Sequence, residues 1–116
     1  MTRTIENAVI EGTMLGREDH GIMTCYLHCS MNGSGQGFGG YSFDSWNEKK
    51  KRRIGHAFGM EMIAAILRTV GVETWETLPG RHVRIDHDYS KVYRLGHIIE
   101  DRWFDPQELF KEEAKP

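Results

Sequence analysis

Lys49 to Arg53 form an unbroken cationic run, KKKRR. Five neighbouring cations can neutralise phosphate oxygens or an acidic protein surface. The run stands in the polar stretch NEKKKRR, read as a linker ahead of a helix. Cations oppose the dipole at a helix N-terminus, so their placement suggests a use in binding. Lys50, Arg52 and Arg53 are the candidate contacts. A run in one loop is more commonly a solvated linker, and no RNA-binding signature accompanies it.

Glu18, Asp19 and His20 stand together in GREDHG (Gly16 to Gly21). Carboxylates beside an imidazole suit general acid–base work, a divalent cation or a basic partner. A hairpin loop is also charged simply because it is solvated.

A third candidate is NGSGQGFGGY, residues 32 to 41, where five of ten residues are glycine. Its letters contain G-x-G-x-x-G. A dinucleotide fingerprint needs a strand before it and a helix straight after it; here the next element reads as a strand. Two uses remain. The glycines form a sharp bend between strands, or Gly35, Gln36, Gly37 and Gly39 offer backbone N–H groups to an anion, with Phe38 and Tyr41 as anchors or stacking rings.

Cys25, His28 and Cys29 resemble a metal set only until they are placed on a strand. Four residues at about 3.3 Å each hold the cysteines about 13 Å apart, too far for one zinc or one disulfide. His28 points to the other face. The cysteines are therefore expected in the core. The six histidines are scattered, with no H-E-x-x-H pair, and no cofactor is expected.

These groups must be positioned by strands and one helix. Ile5 to Leu15 reads as a strand with a bulge near Gly12. Ile22 to Met31 alternates cleanly, with Met23, Cys25, Leu27, Cys29 and Met31 on one face. Tyr41 to Asp44 reads as a short strand. Ile54 to Val70 carries a helical stripe through Phe58, Met62, Ile66 and Val70, closed by Gly71. Strands follow near His82 to Asp86 and Val92 to Ile99. Asp105 and Pro106 open a short last helix. The order β-β-β-α-β-β-α predicts an α+β fold: a mostly antiparallel sheet of about five strands packed on one long helix.

With 116 residues, 39% of them hydrophobic, the chain reads as a single domain spanning residues 1–116, with a tail frayed from residue 110. Its formal charge of −2 gives no overall attraction to nucleic acid or anionic membrane. No apolar run approaches the roughly 20 residues of a membrane helix, and the N-terminus lacks a signal peptide's apolar core. A cytoplasmic protein is expected, with no membrane partner. Free sheet edges allow a symmetric homodimer.

The segments EDHGI, GQGFGGY, VGVETWETLPG and DRWFDP lie in a chain that resembles, over almost its whole length, an uncharacterised family of small proteins encoded by tailed bacteriophages and prophages. The resemblance implies a setting, a bacterial host's cytoplasm, and no catalytic residue. The first expectation is therefore a non-enzymatic accessory protein that binds and inhibits a host protein or nucleoprotein complex, an anti-defence role of the anti-CRISPR kind. A nucleotide-sequestering module built on the glycine-rich stretch is the second. A small nuclease using Glu18, Asp19 and His20 with a divalent metal is the third.

Overall fold

The computed structural model describes residues 2–18, 20–88 and 90–113. The fold is α+β, as the pattern predicts. Strands β1 (Thr4–Arg17), β2 (Met23–Met31), β3 (Ser34–Gly39), β6 (His82–His87), β7 (Val92–His97) and β8 (Trp103–Phe104) build one antiparallel sheet in the order β3-β2-β1-β6-β7-β8. Between β3 and β6 stand the hairpin β4 (Asp44–Asn47) and β5 (Arg52–Gly55), then helix α1 (Ala57–Val70). Helix α2 (Pro106–Glu113) follows β8.

The bulge expected near Gly12 is present. Ile10 pairs with Cys29 and Gly12 with His28, leaving Glu11 unmatched. The extra residue changes which parity of β1 lies on the core side of the sheet: Ala8 and Ile10 before it, and Thr13 and Leu15, opposite Leu27 and Cys25, after it, with Leu15 42% exposed near the strand's end. That is why β1's alternation looks imperfect as a string. On β2, Cys25, Leu27 and Cys29 all face the core.

Helix α1 lies against the same face and buries Phe58, Met62, Ala65, Ile66 and Val70. Gly71 ends it at φ 91°, donating its N–H to the Leu67 carbonyl at 2.8 Å. The helix starts later than its apolar stripe suggests. Ile54 belongs to β5, opposite Ser45. A β-branched residue followed by Gly55 favours an extended end to a hairpin over a first helical turn.

Three further expectations change. Tyr41 to Asp44 is not a strand; the strand starts at Asp44. β8 is an element that two residues cannot announce by periodicity. Residues 110–113, assigned to the tail from the sequence, belong to α2, because Phe110 stacks on Phe58 with centroids 4.7 Å apart. Asp105 does open this helix, its Oδ1 accepting the Gln107 N–H at 2.9 Å. Among the described residues no helix is long and apolar enough to cross a membrane.

The cysteines sit where the alternation puts them. Both are free and buried, and burial pushes each thiol up to about 12. The thiolate is the reactive form. Native protein at about pH 8 should therefore resist alkylation, and denatured protein should take two labels per chain, readable by intact mass. Rapid labelling of the native state would contradict this packing.

Candidate functional site

The three sequence-predicted patches do not form one site. β2 runs nine residues, about 30 Å at 3.3 Å per residue, and the patches divide between its two ends.

At the Met23 end lies the β1–β2 loop. Glu18 donates its N–H to the Ile22 carbonyl at 3.0 Å, and Gly21, at φ 78°, donates to the Glu18 carbonyl at 2.8 Å. His20 Nδ1 is 3.9 Å from Glu18 Oε1, and the His20 side chain is 85% exposed. These two groups form a solvated turn. Asp19 lies outside the described residues.

The cationic run arrives at the same end, and not as a linker. It is the turn and second strand of the β4–β5 hairpin, with Trp46 opposite Arg53 and Asn47 opposite Arg52. Asn47 Oδ1 accepts the Lys50 N–H at 2.9 Å, and Lys51 takes φ 54° to close the turn. The cations are thus on a hairpin that precedes the helix, whose first residue is Ala57.

Asp44 clips this hairpin to the sheet. Its Oδ1 accepts from Arg53 Nε at 2.9 Å and from the Met23 N–H at 3.2 Å. The result is a groove of about 580 Å³ lined by Arg17, Gly21, Trp46, Lys51, Arg52 and Arg53, with Asp44 at its base. Asp44 is 6% exposed and is neutralised by Arg53, and Lys51 pairs with Glu48 at the surface, so Arg17 and Arg52 leave the groove positive. Trp46 is 53% exposed. The sequence includes Lys51 within the Lys49 to Arg53 run but does not single out Arg17 or Trp46. The linker reading hid them, although Asn47 at the head of the run is a turn signal.

At the other end of β2 the glycines prove to be a strand. β3 pairs along β2, from Met31 opposite Ser34 to Tyr26 opposite Gly39. The turn itself is Asn32 and Gly33 (φ 73°), and the bend follows at Gly39 (φ 116°) and Gly40 (φ 83°). In an extended strand successive N–H groups point opposite ways, so consecutive Gly35, Gln36 and Gly37 cannot converge their N–H groups on one anion as a nest does.

Gln36 and Phe38 face inward. Phe38 is fully buried, 6.0 Å from Phe104 between centroids. Tyr41 packs edge-on against Phe58 and Phe110, and burial raises its pKa. Phe38 is closed to a base, and Tyr41 is partly buried with its ring packed on two aromatic neighbours. Both are anchors.

Gln36 instead spans the mouth of the curled sheet. Its Nε2 donates to the Asp88 carbonyl at 2.6 Å and lies 3.1 Å from His87 Nδ1, whose Nε2 is 3.2 Å from Glu6 Oε2. A cavity of about 520 Å³ opens here, lined by Ser34, Gly35, Gly37, His87, Ser90 and Lys91 among others. The link between Gln36 and His87 spans 51 positions of sequence and has no local signal.

A further buried carboxylate is structural. Asp86, on the outer face, accepts Arg3 Nε at 3.0 Å and Nη2 at 2.6 Å, and Arg94 Nε at 2.7 Å. Burial alone would raise its pKa, but the hydrogen bonds from Arg3 and Arg94 outweigh that and hold it low. The Asp44 pKa is lowered mainly by Arg53. A depressed folded-state pKa contributes stability that is fully present above the unfolded value of about 4 and is lost as pH falls through the folded value. Stability followed by circular dichroism should therefore fall below about pH 4, and Asp86→Asn should flatten that fall. Equal stability at about pH 2 and pH 7 would contradict the assignment.

Among the described residues, no three His, Cys, Asp or Glu side chains gather as metal ligands. No protein-family model, curated protein or solved structure matches the chain.

Proposed function

We propose that the protein is a non-enzymatic accessory protein that binds and inhibits a factor of a bacterial host, in the phage setting its sequence resembles, and that the β4–β5 groove is its contact surface. The observation that carries the reading is a chain of net charge −2 concentrating Arg17, Lys51 and Arg52 beside an exposed tryptophan. A local field of that sign steers an anionic partner whatever the net charge. Among the carboxylates, Glu18 is solvated and Asp44 is spent on Arg53, while the buried Asp86 is spent on Arg3 and Arg94.

The test is phage plating on host strains that each carry one defence system. Expression of the wild type should restore plaques against at least one system, and the double variant Lys50→Glu, Arg52→Glu should not. Loss of plaques in every strain, or full protection by the double variant, would overturn the reading.

One observation favours a second reading, a nucleotide site at the opposite end. The cavity by β3 offers Ser34, Ser90 and Lys91 to a phosphate, with no carboxylate among its lining residues. A ligand at 100 times its Kd should stabilise the protein by about 2.7 kcal/mol. A flat thermal-shift panel of linear and cyclic nucleotides would discard it.

A further inference from the structure

We infer that the β4–β5 groove takes a single-stranded nucleic acid, its phosphates against Arg17, Lys51 and Arg52 and one base stacked on Trp46. This rests on the proposal that the groove is the contact surface, and it names that surface's ligand.

Three features single out this chemistry. The first is the charge that remains after internal pairing. Arg53 is committed to Asp44 through Nε at 2.9 Å. Arg17 and Arg52 have no carboxylate partner among the described residues, and the only side-chain hydrogen bond of Arg52 is a 3.4 Å contact to the Arg53 carbonyl. Lys51 meets Glu48 at 2.8 Å, but both side chains are more than 70% exposed, so solvent screens the pair and a phosphate can compete for the lysine.

The second is the condition of the tryptophan. The Trp46 indole N–H is already satisfied by Glu48 Oε1 at 3.2 Å. The residue remains 53% exposed. Trp103, by contrast, has the Arg84 and Arg94 guanidiniums over its ring at 4.9 and 4.5 Å. Among the described residues no cation stacks on Trp46. What it has left to offer is an aromatic face.

The third is the combination. Cations with a free aromatic face are the two elements of a single-strand site, where the cations follow the phosphates and the ring takes a base. In a duplex the bases are already stacked, so the tryptophan would gain nothing. An acidic peptide would satisfy the cations and leave the ring without a planar partner. The groove's volume of about 580 Å³ falls in the range of about 300–1,000 Å³ that small-ligand clefts span.

Fluorescence anisotropy with labelled oligo(dT), a duplex of equal length and poly-glutamate decides the matter. Three neutralised phosphates give a slope of about −2 for log K against log salt, roughly a 20-fold loss between about 50 and 200 mM. Trp46→Ala should weaken oligo(dT) binding about fivefold or more, with Trp46→Phe retaining most of it. Arg52→Gln should make the slope shallower by about 0.7. Base stacking should also quench tryptophan emission of the wild type, so the proposal stays testable if Trp46→Ala proves unfolded by circular dichroism.

Equal affinity for single strand and duplex, with no effect of Trp46→Ala, would overturn the inference. Binding of poly-glutamate without oligo(dT) would also overturn it, while leaving the groove as a surface for an acidic protein. Binding of neither, together with full phage protection by the Lys50→Glu, Arg52→Glu variant, would remove both the inference and the function it rests on.

Discussion

Gly39→Ala is expected to lower the melting temperature by about 10 °C or more, while Gly37→Ala, two residues away, leaves it unchanged or slightly raised. The difference is geometric. A Cβ at Gly39 would lie 2.5 Å from the Cys25 carbonyl oxygen and 3.0 Å from the Tyr26 Cα, both main-chain atoms of the paired strand. Neither can rotate away as a flexible side chain would. The residue also holds φ 116°, where L-residues are strained. Backbone strain contributes about 1–3 kcal/mol and overpacking about as much again, against a total stability of about 5–15 kcal/mol. At Gly37 the nearest atom to a new Cβ is 3.9 Å away and φ is not positive. Alanine there removes unfolded-state freedom and is worth up to about 1 kcal/mol. Urea and thermal denaturation of the two variants measure this directly. Equal destabilisation would mean that β3 does not have the register described.

Phe38→Ala has the other large expected effect. Phe38 is 0% exposed and sits edge-on to Phe104, joining the glycine strand to β8 across the concave face. Its removal costs the transfer energy of the ring and leaves a cavity between elements at opposite edges of the sheet, about 3–5 kcal/mol in all. Phe38→Leu should cost clearly less. A loss under about 1 kcal/mol for alanine would place Phe38 outside the core. Neither Phe38 variant should change salt-dependent anion binding in its folded fraction, because the cationic groove is formed by other residues.

These two neighbours explain why the glycine-rich segment reads as one sharp bend in the sequence. Ser34 to Gly39 alternates between inward Gln36 and Phe38 and outward glycines. That is a strand's period, but glycine contributes no hydrophobic signal to its outer positions. The true bend needs only Gly39 and Gly40. The same kind of loss hid the β4–β5 hairpin. Four-residue strands hold too few residues for periodicity, and Lys49 to Arg53 read as composition alone. Only the anchoring of Asp44 to the Met23 N–H and Arg53, over separations of 21 and 9 residues, turns that composition into a groove with Trp46.

The amino-acid order by itself determined the local elements: the inward face of β2, the bulge in β1, the stripe and glycine cap of α1, the Asp105 start of α2, and the burial of both cysteines. Each is dictated by spacing within a few residues, through backbone geometry and the placement of apolar side chains. The tertiary structure alone decided the strand order, the pairing of β8, the Gln36–His87 link and the meeting of Arg17 with Lys51, Arg52 and Trp46. These depend on which distant segments pack together, and a hydrophobic pattern specifies that a face is buried without specifying its partner.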